Sequence, residues 1–135
     1  MLFNIISDNI ANSKVNNINL SKFNQKVLFY GTPAFAVVSL DFLVRQGINI
    51  IGVVTAPDRK SGRGQKLQFS DVKTYAVDND IRVFQPTNLK SASFQEVLKD
   101  LNPDIQIVIA FRMLPEMVWN YPSLGTYNIH GSLLP

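Results

Sequence analysis

The chain has 135 residues, 46% of them hydrophobic and 17% charged, with a net charge of +3, no cysteine and a single histidine. That length holds one domain and buries roughly two-thirds of its unfolded surface. The composition is that of a soluble globular chain. It excludes a disulfide framework and a thiolate metal site, offers no pair of histidines to zinc, and contains no apolar run near the ~20 residues that span a bilayer.

Residues 1–25 stand apart, with asparagine at 4, 9, 12, 16, 17, 19 and 24 and serine between. No basic start leads into an apolar segment, so the stretch does not read as a secretory signal. It has no arginine, which a transit peptide would carry. It is expected to be a poorly ordered, Asn-rich extension without assigned function. From Lys26 to Tyr30 an apolar run reads as a buried strand ended by Gly31. Thr32-Pro33 then looks like an N-cap followed by proline at the first helical position. Phe35, Val38, Leu40, Phe42 and Leu43 are the expected apolar face of that helix, with Gly47 as its C-cap. Ile48 to Thr55 is a second buried strand, which predicts a right-handed βαβ unit.

Ala56 to Phe69 reads as a flexible loop. A weak helix is expected from Ser70 to Asn79 and a short strand from Ile81 to Phe84. Ser93-Phe94-Gln95-Glu96 has capping-box spacing and opens a helix to Leu101, which Pro103 stops. Ile105 to Phe111 is an aliphatic strand suited to a central position. A short helix around Pro115–Asn120 precedes a final strand from Tyr127 to Ile129. Five strands alternating with four helical segments predict an α/β, doubly wound, mostly parallel Rossmann-like sheet.

Three stretches carry chemistry. The first is Tyr127-Asn128-Ile129-His130-Gly131-Ser132-Leu133-Leu134-Pro135. Residues two apart on a strand share a face, so Asn128 and His130 would project together. An amide can donate to a developing oxyanion, and a histidine can move a proton near neutral pH. A lone histidine near a strand end is more often structural, and this pair alone does not decide the matter. The second is the turn Gly31-Thr32-Pro33-Ala34-Phe35-Ala36. It lacks G-x-G-x-x-G, which argues against a nicotinamide or flavin site. The third is Pro57 to Leu67. Five basic residues (Arg59, Lys60, Arg63, Lys66, Lys73) against two acidic ones (Asp58, Asp71) lie between 56 and 73, a surplus equal to the net charge of the chain. A charged loop is usually just solvated. Here Gly62 and Gly64 bracket Arg63, and mobile cations suit phosphate backbones.

The stretch from Asn128 to Pro135 resembles the active-site signature of formyltransferases that use 10-formyltetrahydrofolate. The Gly31–Ala36 turn and the Pro57–Leu67 loop are similar to those of the methionyl-tRNA formyltransferases. The resemblance covers residues 26–135. It implies that Asn128 and His130 are catalytic, and that Gly31, Thr32 and Pro33 lie near the aminoacyl end of the substrate. It implies that Arg59, Lys60, Arg63 and Lys66 meet the tRNA acceptor stem, with Arg63 the key contact. Arg112, Met113 and Leu114, through backbone atoms, would hold the pterin ring, and Ser132, Leu133, Leu134 and Pro135 would complete the folate site. Phe111 and Arg112 depart from the Ala-Tyr-Gly that many of these enzymes carry there. Arg-x-Leu is instead similar to the enzymes acting on glycinamide ribonucleotide.

The family also uses a catalytic aspartate further along and a small carboxy-terminal tRNA-binding domain, and no residue here matches either. The chain is thus expected to be an amino-terminal fragment, inactive alone. The resemblance implies formyl transfer to initiator methionyl-tRNA, with no metal, no NAD, no membrane, a cytoplasmic location and a monomer at full length. Two other readings stay open. One is a related enzyme acting on glycinamide ribonucleotide or a sugar nucleotide. The other is a non-catalytic module that only binds folate or RNA.

Overall fold

The computed structural model describes residues 23–130. In chain order they hold β1 (Val27–Gly31), α1 (Ala34–Arg45), β2 (Ile50–Val54), β3 (Arg59–Ser61), β4 (Lys66–Gln68), α2 (Asp71–Asp78), β5 (Val83–Phe84), α3 (Ala92–Leu101), β6 (Ile105–Ile109), α4 (Glu116–Trp119) and β7 (Thr126–Asn128). Residues 1–22 of the expected extension lie outside the described residues, as do Ser132, Leu133, Leu134 and Pro135. Phe23, counted in that extension, packs against the core.

Five strands form one sheet in the order β5-β2-β1-β6-β7, and every pairing is parallel. All five residues of β1 are buried, as are all five of β6. Strands covered on both faces need continuous apolar sequence, and these two have nearly that. The chain runs from β1 outward through β2 to β5, then crosses back to β6 and on to β7. Right-handed crossovers then place the helices of each half on opposite faces. The packing agrees. Ala36, Leu40 and Leu43 of α1 and Val72 and Ala76 of α2 cluster with Val27, Phe29 and Ile107. Phe94, Leu98 and Leu101 of α3 and Val118 of α4 cluster with Leu28, Tyr30 and Val108. The fold is therefore the doubly wound sheet expected. Reversal of direction between β1 and β6 makes their carboxyl ends the place where such sheets bind ligands.

Local readings are corrected in four places. The stretch from Ala56 to Phe69 is not a bare loop, because β3 and β4 pair antiparallel within it. Gly62, Gly64 and Gln65 take positive φ values of 74°, 83° and 49°, which close the four-residue turn between the strands. Thr32 does not cap α1. Pro33 occupies the N-cap without a side-chain bond, and the Thr32 carbonyl accepts from the Val72 amide at 3.2 Å. Phe35 and Val38 are 43% and 60% exposed, so the buried face of α1 runs through Ala36, Ser39, Leu40 and Leu43. Ser91, not Ser93, caps α3 by accepting from the Phe94 amide at 3.2 Å. Gly47 behaves as expected. It sits at φ 81°, and the Ile48 amide reaches back to the Leu43 carbonyl at 3.1 Å, which closes a Schellman end.

Gly31 ends β1 in the tightest spot of the seam. A Cβ there would lie 2.8 Å from the Ile109 carbonyl oxygen, 2.9 Å from the Phe29 ring and 3.0 Å from the Ala36 Cβ. Two of those three neighbours belong to strand backbone or helix and cannot swing aside. Gly31→Ala is expected to cost about 1–3 kcal/mol, as overpacking does, seen as a lowered thermal midpoint. An unchanged midpoint would show that the seam can open without penalty.

Candidate active site and cationic hairpin

β7 is aligned to β6 by the pairs Gln106↔Thr126, Ile107↔Tyr127 and Val108↔Asn128. The strand ends at Asn128, one residue sooner than expected, although the Ile129 amide still donates to the Val108 carbonyl at 2.8 Å. Asn128 and His130 are exposed on either side of buried Ile129, the alternation expected of the sequence. Asn128 lines a cleft of about 440 Å³ together with Val108, Phe111, Met113, Leu114 and Trp119. His130 is not part of that lining.

The segment after β6 shapes the other wall. Ala110 takes φ 53°, a left-handed conformation that costs about 1–2 kcal/mol in a residue with a Cβ. It stops β6 at Ile109, so the strand is two residues shorter than expected. The three residues assigned to the folate site behave differently there. Leu114 is buried in the core beside Leu89 and Phe94. Met113 is 92% exposed. Arg112 donates to the carbonyl oxygens of Pro86 and Thr87, and its guanidinium lies 5.3 Å from the Phe111 ring. Arg112 thus ties the segment after β6 to the segment after β5. Little of the Leu114 side chain is exposed, and what is exposed lies at the wall of the cleft. A larger hollow of about 850 Å³ adjoins the cleft, with Asn88, Lys90, Arg112 and Glu116 on its walls.

The turn Gly31-Thr32-Pro33 sits at the carboxyl end of β1. Thr32 and Pro33 share a smaller cleft of about 220 Å³ with Arg59, Gln68, Phe69 and Asp71 at the base of the hairpin. Gly31 is buried behind it. Arg59, Lys60, Arg63 and Lys66 are all exposed, and none forms an ion pair with another described residue. Arg63 stands in the turn between the two glycines of positive φ. Lys73 is different, although the sequence counts it with these cations. It lies on α2, where its ammonium binds both Asp58 oxygens at 2.9 and 2.8 Å and covers the Phe69 ring at 3.8 Å. Gln85 donates to the same carboxylate at 2.7 Å and to the Ala56 carbonyl at 3.1 Å. This clamp fixes the root of the hairpin and leaves its tip cationic.

Sequence reasoning missed this clamp and a second polar cluster. Gln106, fully buried in aliphatic β6, accepts from the Tyr30 hydroxyl at 2.6 Å and donates to the Val118 carbonyl and the Thr126 hydroxyl, each at 2.9 Å. Thr126 in turn donates to the Trp119 carbonyl at 2.6 Å. Burial pushes the Tyr30 phenol well above its ordinary pKa, so it stays a donor. A glutamine alone among isoleucines was the available signal. Among the described residues no group of side chains is arranged to hold a metal ion.

A doubly wound sheet with clefts at the carboxyl ends of β1, β6 and β7 is the frame of a ligand-binding α/β domain. The sequence profile of the formyl transferase family matches residues 25–135, and the chain belongs to that family. It is 53% identical over 110 residues to the methionyl-tRNA formyltransferase of Flavobacterium johnsoniae, covering 82% of this chain and 35% of that protein. The methionyl-tRNA formyltransferase of Bacteroides fragilis is 50% identical over 116 residues, 86% of this chain and 36% of that one. That of Parabacteroides distasonis is 53% identical over 117 residues, with the same coverage of 86% and 36%. The chain spans about a third of the length of these curated relatives.

The Asp58 clamp has a pH signature. Hydrogen bonds from Lys73 and then Gln85 hold the Asp58 carboxyl below its ordinary value of 3.8. A depressed folded-state pKa gives stability that is present above the ordinary value and is lost as pH falls through the folded one. Native protein should therefore melt above Asp58→Asn at neutral pH. The two midpoints should converge as pH falls from about 4 towards 2. A gap that stays constant over that range would contradict the clamp.

Proposed function

We propose that the chain is the amino-terminal part of the catalytic domain of an enzyme that moves a formyl group from 10-formyltetrahydrofolate to the α-amino group of initiator methionyl-tRNA. In this reading the domain begins near Lys26, and residues before it are an extension. The observation that carries it is that Asn128 lines the same cleft as residues 111–114, beyond the carboxyl ends of β6 and β7. Family membership and the names of the relatives support the reaction class.

The cleft suits a flat, partly apolar ring. Phe111, Leu114 and Trp119 give it apolar walls, and its volume is about 440 Å³. Arg112, Met113 and Leu114 hold the pterin through backbone groups, as the resemblance implies. Ser132, Leu133, Leu134 and Pro135 extend the site by their place in the signature. The folate brings an activated formyl carbon. Asn128 donates its amide to the oxygen that gains charge there, an effect worth about 3–4 kcal/mol where such donors have been removed. His130 takes up the proton that the attacking amine must lose, commonly ~10²–10⁴ in rate. The bond from the formyl carbon to the folate nitrogen then breaks as that nitrogen takes a proton and tetrahydrofolate leaves. Thr32 and Pro33, backed by Gly31, receive the aminoacyl end. Arg59, Lys60, Arg63 and Lys66 grip the acceptor stem through its phosphates.

The test is acceptor choice, with labelled formyl donor and the full-length gene product. Label should reach methionyl-tRNA and neither glycinamide ribonucleotide nor an amino-sugar nucleotide; transfer to either of the latter would overturn the tRNA assignment. Arg63→Ala should raise KM for tRNA, flatten its salt dependence by about one phosphate contact and leave folate affinity alone. Asn128→Ala should cut kcat by about 10²–10³ with little change in thermal midpoint, because the side chain is exposed. A destabilised but fully active Asn128→Ala would end the catalytic assignment.

A further inference from the structure

We infer that Gln106 and Thr126 are positioning residues that lock the register of β7 and thereby aim Asn128. This rests on the function proposed for Asn128. β7 is three residues long and, among the described residues, pairs only with β6. Burial of Ile129 and packing of Tyr127 favour this register, and a slip of one residue would turn Asn128 to the opposite face. The Gln106 amide prevents the slip. Its two protons go to the Thr126 hydroxyl and the Val118 carbonyl, and its oxygen accepts from Tyr30. The network permits one amide orientation, because the reverse would set the Gln106 oxygen against the Val118 carbonyl. Tyr30 anchors the chain of bonds in β1, at the middle of the sheet, and Thr126 passes it to the Trp119 carbonyl at the end of α4. Thr126 lies two residues from Asn128, on the same strand face and in the same cleft. The cross-link therefore acts on the strand that carries the amide, and only through it on the reaction.

Thr126→Val keeps the shape and removes the hydroxyl, and Thr126→Ser restores it. At temperatures well below each variant's melting midpoint, Thr126→Val should lower kcat roughly 10- to 100-fold, with KM for tRNA and folate nearly unchanged, and Thr126→Ser should recover most of it. On an Asn128→Ala background Thr126→Val should cost nothing more. Hydrogen exchange supplies a readout free of activity. The Ile129 amide, bonded to Val108, should exchange faster in Thr126→Val and recover in Thr126→Ser, while β1 and β2 amides keep their protection. Loss of kcat that multiplies with that of Asn128→Ala, or equal loosening of all core amides, would overturn the inference. If the native protein transfers no formyl group, the proposed function fails, and the exchange experiment still decides whether the cross-link holds β7.

Discussion

The seam between β1 and β6 is the constraint on which the rest depends. Five consecutive pairs, Val27↔Ile105 through Gly31↔Ile109, join the two halves of the sheet. Helices leave this seam on opposite faces, so no crossover covers its carboxyl end. A crevice there is a consequence of topology, not of any one side chain. The seam also fixes where the chain can turn away. Gly31 lets β1 approach the Ile109 carbonyl, and Ala110 bends the chain out of β6 one residue later. Those two backbone choices set the turn 31–33 beside the cleft at the hairpin base and the segment 111–114 beside the cleft that holds Asn128.

The carboxyl edge divides its labour electrostatically. Around Asn128 the walls are mostly apolar. The hairpin is the reverse case. Its four cations stand in solvent, where attraction to a polyanion is long-ranged, salt-sensitive and undemanding of geometry. Asp58, Lys73 and Gln85 separate the two regimes by holding the hairpin root still. An exposed ion pair contributes little to stability in general. This one is partly shielded, bidentate and shared with Gln85, and its effect is to place the hairpin relative to α2 and β5.

The sheet was legible because parallel, doubly covered strands must be apolar, and the runs at 26–30, 50–54 and 105–109 are so apart from Lys26 and Gln106. The exposure of Asn128, His130 and the hairpin cations was legible from local spacing, whereas the roles proposed for them come from the resemblance. The β3–β4 hairpin was not. Its strands are three residues each, and Gly62 and Gly64 read equally well as flexibility or as a turn of positive φ. The partners of the Arg112 side chain were not legible either, because only the fold brings Pro86 and Thr87 to it. The Asp58 and Gln106 networks escaped for the same reason. Their partners are 12 to 76 residues apart in sequence and meet through tertiary structure alone. Gln106 left one trace, a polar residue where an aliphatic one was expected, and a buried amide left unpaired would cost about 1–3 kcal/mol for each group.

If the proposed chemistry is right, one crevice at the carboxyl ends of β6 and β7 holds the folate beside Asn128. Backbone hydrogen exchange with and without tetrahydrofolate reads this out along the chain. Exchange should slow at residues 111–114 and 128–130, with the hairpin 59–68 unaffected. Slowing confined to 32–33 and 56–71, around the smaller cleft, would contradict a folate site beside Asn128.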